Sequence, residues 1–165
     1  MMRYALLTLT LVIPLTAASA QAKKPGAQTQ RTMTVALPDQ MTWGPAPAVL
    51  PAGAKLAVLE GDPTKSAAFT MRLLMPDGYQ IAPHFHPATE HVTVISGALM
   101  VGMGEKFDES QMKTLPAGAF GLIPAGMHHY AKAKSETVLQ LHGIGPWQLI
   151  YVNKADDPRK KVAAR

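Results

Sequence analysis

From Met33 onward the chain alternates short apolar runs with proline and glycine. LAVLE (56–60), AFTMRLLM (68–75), HVTVIS (91–96), ALMVGM (98–103), FGLIP (120–124), TVLQLHG (137–143) and QLIYVN (148–153) are each of strand length. They are separated at short intervals by Pro38, Gly44, Pro45, Pro47, Pro51, Gly53, Gly61, Pro63, Pro76, Gly78, Pro83, Pro87 and Gly97. Many short β-prone segments with close-set turn signals predict an all-β chain, an antiparallel sandwich or small barrel. Helices have little room, and DESQMKTL (108–115) is the best place for a single turn. In TVLQLHG the alternation of Val138, Gln140 and His142 with Leu139 and Leu141 predicts that the leucines face the core.

The ends read differently. Residues 1–20 carry one early charge at Arg3, an apolar run broken at Pro14, and small residues at Ala18 and Ala20, the pattern of a signal peptide cleaved after Ala20. The run is shorter than a membrane-spanning helix needs, so the mature protein is expected in the periplasm or secreted, with no membrane contact after cleavage. Residues 21–32 form a polar, flexible leader, residues 33–155 the β domain, and residues 156–165 a charged tail, loose from about residue 159. Removing 20 of the 165 residues leaves 145, enough for one domain.

Charge narrows the partners. The net charge is +5, yet between residues 32 and 158 there are 8 Lys and Arg against 11 Asp and Glu. The excess positive charge sits in the tails, where it is usually solvated, so nucleic-acid binding is not expected. With no cysteine, disulfides, thiolate ligands and thiol catalysis are excluded, and a metal must be held by nitrogen and oxygen. Ten methionines, scattered among strand and turn segments, read as core filler.

The histidines stand out against this background. The stretch GYQIAPHFHPATEHVTVISG (78–97) places His84, His86, Glu90 and His91 within eight positions, half of the six histidines of the chain among them. Residues two apart on a strand share a face, so His84 and His86 point one way. An extended chain would carry Glu90 about 13 Å from His86 at ~3.3 Å per residue, too far to share an ion with bonds of about 2 Å. The chain is therefore expected to turn at Pro87-Ala88-Thr89, folding Glu90 back toward the two imidazoles and leaving His91 on the opposite side. A second stretch, GAFGLIPAGMHHY (118–130), has turn chemistry at Pro124-Ala125-Gly126 just before His128 and His129. Neighbours on a strand face opposite sides, so one of these two can be a ligand and the other cannot.

These two stretches resemble the paired motifs of the cupins, a family of small β-barrels. The first motif, G-x5-H-x-H-x3-E-x6-G, is met by Gly78, His84, His86, Glu90 and Gly97. The second, G-x5-P-x-G-x2-H-x3-N, is met by Gly118, Pro124, Gly126 and His129, with Ala133 in place of the usual Asn. The resemblance covers residues 78–133 and implies a double-stranded β-helix, or jelly-roll, barrel. It also implies one divalent transition-metal ion (Fe, Mn, Ni, Cu or Zn) held by His84, His86, Glu90 and His129, and a homodimer. It assigns His129 rather than His128 as the ligand. The missing Asn is not a ligand, so the departure leaves the metal set intact.

Such a cage specifies a metal better than a reaction. The expected activity is that of a metal-dependent, dioxygenase-like oxidoreductase acting on a small organic molecule. The alternatives are a non-catalytic metal-bound binding protein and a Lewis-acid lyase or isomerase. A lyase needs a proton carrier beyond the ligands, and His142, Tyr130 and Tyr79 are the candidates near the motifs. Arg72, Gln140 and Phe120 are candidates for substrate contact, and Tyr130, Phe85, Phe120 and Trp147 read as packing aromatics, any of which could also shape a pocket. Export would let the protein take its metal outside the cytoplasm, where affinity order favours Cu or Zn.

Overall fold

The computed structural model describes residues 33–162, with side chains described to residue 160. The expected signal peptide, the leader and residues 163–165 lie outside the described residues. Eleven strands are described: β1 (Gly44–Pro45), β2 (Lys55–Glu60), β3 (Ala68–Met75), β4 (Gln80–Phe85), β5 (Glu90–Ser96), β6 (Ala98–Met103), β7 (Lys113–Pro116), β8 (Phe120–Ile123), β9 (His129–Ala133), β10 (Thr137–Ile144) and β11 (Ile150–Tyr151). They form a six-stranded sheet in the order β1-β2-β3-β10-β5-β8 and a five-stranded sheet in the order β11-β4-β9-β6-β7, with every pairing antiparallel. This is the all-β jelly-roll architecture expected from the run of short strands, and the helical part of DESQMKTL is a 3-10 turn at Glu109–Gln111, its KTL end entering β7.

The core lies between the sheets. Phe69, Met71, Leu73 and Met75 of β3, Val92 and Val94 of β5, and Leu139 and Leu141 of β10 face Ile81, Leu99, Ala131 and Ala133 of the opposite sheet. Period-2 alternation drives this, burying every second side chain on a sheet with one dry face. On β10 the leucines are the inward set, as the alternation predicts, and Gln140 and His142 face out. The turn at Gly97 joins β5 to β6 so tightly that only glycine fits. Its φ is +75°, and a Cβ there would lie 2.3 Å from the Glu136 carbonyl oxygen.

The C-terminal segment departs from expectation. Part of the stretch read as loose forms a short helix, α1 (Pro158–Val162). Asp157 organises its start, accepting from the Arg159 backbone N–H at 3.0 Å and pairing with the Arg159 guanidinium at 2.6 Å. Proline at the first helical position suits this start.

Candidate metal centre

The site grows out of an irregularity in β4. Ile81 pairs with Ala131 and faces the core, so strict alternation would turn His84 outward. The pairing shifts between Ile81 and His84, however, and His84 stands opposite His129. One extra residue in a strand re-aims the side chains beyond it, and here it swings His84 inward to 3 % exposure. β4 ends at Phe85, and the chain bends through Pro87 and Ala88 before β5 starts at Glu90. His86, just past the strand, is 3 % exposed, and His129 at the start of β9 is 2 % exposed. Gly126, in the turn before β9, donates its backbone N–H to the His86 carbonyl at 2.8 Å, tying the two motif regions together.

The three imidazoles converge. One ring nitrogen from each of His84, His86 and His129 lies within 4.8 Å of those of the other two, so the trio can hold a metal ion. Each ring also has its Nδ1 against a backbone carbonyl: His84 on Ala82 at 2.8 Å, His86 on Gln148 at 2.6 Å, and His129 on Met127 at 3.0 Å. A carbonyl oxygen only accepts, so Nδ1 carries the proton and Nε2 keeps its lone pair for an ion. Glu90 completes the cluster, its Oε2 lying 3.4 Å from His86 Nε2 and 3.5 Å from His129 Nε2, with its side chain 10 % exposed.

The electrostatics are those of an N/O ligand set. Burial, reinforced by the neighbouring His129 and His86, pushes His84 down to about 3, so it is neutral at physiological pH. Burial also works to lower His86, but the hydrogen bond and charge of Glu90 outweigh it and the net shift is upward. Burial alone would raise Glu90; contacts with His129 and His86 hold it below the usual carboxylate range instead. Glu90 is thus an anion against the His86 and His129 rings, while His84 is the neutral member of the trio.

An apolar cavity opens beside this cluster. His84, Glu90, His129 and Trp147 share its lining with aliphatic side chains from both sheets, and about 40 Å³ is open to the centre of a water-sized sphere. The Trp147 indole stacks on His86, with ring centroids 5.3 Å apart at 26°.

The other sequence candidates lie elsewhere. Arg72 and Gln140 are partners on the outer face of the six-stranded sheet, with Arg72 Nε 3.2 Å from Gln140 Oε1, so neither lines the cavity. His142 is also on that outer face, stacked on His91 at 4.9 Å and 16°, and Phe120 is exposed beside them. Tyr130 is buried on the side of β9 opposite His129, under Phe107, and its hydroxyl donates to the Asp108 carbonyl at 3.0 Å. The Tyr79 hydroxyl is bound to the Pro51 carbonyl. His128 faces away from the site, 3.3 Å from Glu105, and its ring is 5.2 Å from that of Phe85. Of the four aromatics that read from sequence as packing groups able to shape a pocket, Trp147 is the one on the cavity wall, and the sequence pattern does not single it out. It sits in a loop with no strand alternation to indicate its direction.

A family model described as a domain of unknown function, DUF4437, matches residues 58–156, which include both motifs. The chain belongs to this family. No match is found among the curated proteins. Solved structures of cupin-superfamily proteins share the fold. The polyketide cyclase RemF from Streptomyces resistomycificus aligns with a TM-score of 0.59 at 13% identity, covering 80% of this chain and 94% of its own. A protein from Methylibium petroleiphilum PM1 provisionally named acetylacetone dioxygenase aligns with a TM-score of 0.58 at 19% identity, covering 79% and 88%. An RmlC-like cupin from Shewanella frigidimarina NCIMB 400 aligns with a TM-score of 0.51 at 14% identity, covering 76% and 97%. At these identities the likeness concerns the fold, which is that of a cupin.

Proposed function

We propose that this DUF4437 protein is a metal-dependent, dioxygenase-like cupin acting on a small organic molecule, with His84, His86, His129 and Glu90 holding one divalent transition ion. The observation that carries the reading is the convergence of three buried imidazoles, each with Nδ1 against a backbone carbonyl and Nε2 left for an ion. The donor set fits such an ion, since neutral imidazoles and one ionised carboxylate suit Fe, Mn, Ni, Cu and Zn alike. When bound, a redox-active ion supplies a template and electron exchange for O₂ chemistry.

The chain's own residues define the rest. The three carbonyls hold the rings in one tautomer and one orientation. Glu90 offsets the ion's charge, and the aliphatic wall keeps bulk water from the reacting centre. Support for an oxygenase over a lyase comes from the cavity lining, where the described residues offer no proton carrier besides the cluster itself. The fold does not decide between them, since its relatives include proteins named for an oxygenation and for a cyclisation. A second reading rests on Glu90, which touches His86 and His129 while the three imidazoles alone form the mutually close group. A carboxylate left off the ion would serve as a base for Lewis-acid isomerisation.

Elemental analysis of the purified protein, followed by O₂-uptake assays against neutral diketones and phenols, tests the proposal. The expected result is one equivalent of Fe, Mn, Ni or Cu per chain and metal-dependent O₂ consumption. Failure to bind any divalent metal stoichiometrically would overturn it. Turnover without O₂ that is lost in Glu90→Gln while metal stays bound would favour the second reading.

A further inference from the structure

We propose that Trp147 donates its indole N–H to an oxygen atom of the bound substrate, and that the substrate is a small carbonyl or hydroxyl compound, uncharged when free. This rests on the metal-cupin reading above and adds the class of molecule that the site accepts.

Three buried side-chain nitrogens among the described residues have no hydrogen-bond partner: His86 Nε2, His91 Nδ1 and Trp147 Nε1. His86 Nε2 faces the ligand cluster and His91 lies on the far side of the sheet, so each belongs to a different setting. Trp147 Nε1 has neither explanation. An indole N–H is a donor only, and buried donors in folded proteins nearly always find an acceptor. The ring carrying this one lies flat against His86 and lines the same cavity as His84, Glu90 and His129. An acceptor arriving with a substrate would satisfy it.

The surroundings narrow what that substrate can be. The hydroxyls nearest the barrel interior are already committed, Tyr79 to the Pro51 carbonyl and Tyr151 to the Val49 carbonyl at 2.8 Å. No lysine or arginine lines the cavity, and its one charged wall residue is the anionic Glu90. A free carboxylate or phosphate would leave water to meet the ion alone, with no cationic side chain for its remaining charge and the Glu90 carboxylate nearby to repel it, whereas a compound neutral when free sheds less hydration on entering. The volume of about 40 Å³ is room for roughly three waters at ~10–15 Å³ each, so only a compact molecule enters without rearrangement. Trp147 and Leu149 also line an adjoining groove, which places the indole between the inner cavity and that groove.

The test uses the full chain loaded with Zn²⁺, a diamagnetic ion, and two small probes: acetylacetone, neutral when free, and acetate. Calorimetry of the wild type is expected to show tighter binding of acetylacetone. Trp147→Phe keeps a flat ring against His86 but removes the donor. It is expected to hold one Zn²⁺ as the wild type does while binding acetylacetone about three- to tenfold more weakly, the worth of one hydrogen bond. An independent reading needs no variant at the site. With two tryptophans in the chain, Trp43→Phe identifies the Trp147 indole N–H resonance, which is expected to move downfield when acetylacetone is added to the wild type. Unchanged affinity in Trp147→Phe together with an unmoved resonance would overturn the role of Trp147. Tighter acetate binding, or no binding of acetylacetone, would overturn the substrate class. Absence of Zn²⁺ binding by the wild type would instead overturn the metal reading beneath it.

Discussion

Six histidines divide into two sets of three, and the same side chain has a different character in each. His84, His86 and His129 lie between the sheets, nearly inaccessible, each with Nδ1 against a carbonyl oxygen and all converging. His91, His128 and His142 lie outside: His91 and His142 face each other across β5 and β10 as a stacked pair, and His128 meets Glu105. Two residues that are neighbours in sequence, His128 and His129, fall into different sets. What separates the sets is burial, a fixed tautomer and a shared focus, and none of these is a property of histidine alone.

The sharpest way to break the comparison is to remove one member of each set. His86→Ala or His129→Ala is expected to lower metal affinity by more than the roughly 10- to 100-fold typical of changes outside the coordination sphere. His91→Ala and His142→Ala should leave affinity within about twofold. Metal content after dialysis against a weak chelator checks both, and equal losses in the two sets would mean that the inner trio is not the metal site. Gly97→Ala comes next in size. It forces a Cβ against the Glu136 carbonyl at positive φ, in the turn following the strand that turns Glu90 inward and His91 outward. The expected loss is at least ~2 kcal/mol by urea unfolding.

Acid distinguishes the sets more gently. His84 is held at about 3 in the folded protein against 6.5 normally, so between these values the unfolded chain takes up a proton that the folded one refuses. Stability of the metal-free protein therefore falls as pH drops through that window. Glu90 acts in the same direction, since the stability its lowered value contributes is lost as pH falls below its usual 4.5. His86, raised on balance, acts oppositely, and its contribution is lost as pH rises through its folded value. Thermal unfolding of metal-free wild type should show a falling Tm from pH 6 to pH 4, with a shallower fall in His84→Gln. The smallest expected effect belongs to the outer pair: replacing both His91 and His142 with Thr should change stability by no more than about 1 kcal/mol, the scale of one cross-strand pair.

Much of this is legible in the residue pattern. The strand segments AFTMRLLM and ALMVGM coincide with β3 and β6, and the leucines of TVLQLHG face inward as their alternation requires. The bend between His86 and Glu90 is demanded by distance alone. The short helix α1 is not legible there, because it depends on the local Asp157–Arg159 contacts rather than on an apolar pattern. Arg72 and Gln140, candidates for substrate contact by residue type, serve each other instead on the outer face.

The sequence by itself determined the period-2 pattern, the turn positions and the supply of N and O ligands, because these depend on residue type and local spacing. Only the tertiary structure decided which way each side chain points at the site. The shift in β4 that turns His84 inward, the carbonyls of Ala82, Gln148 and Met127 that hold the rings, and the loop that lays Trp147 on His86 all arise where separate segments meet. A strand's alternation is a local rule, but its phase relative to a neighbour is set by pairing, and pairing exists only once the sheet has formed.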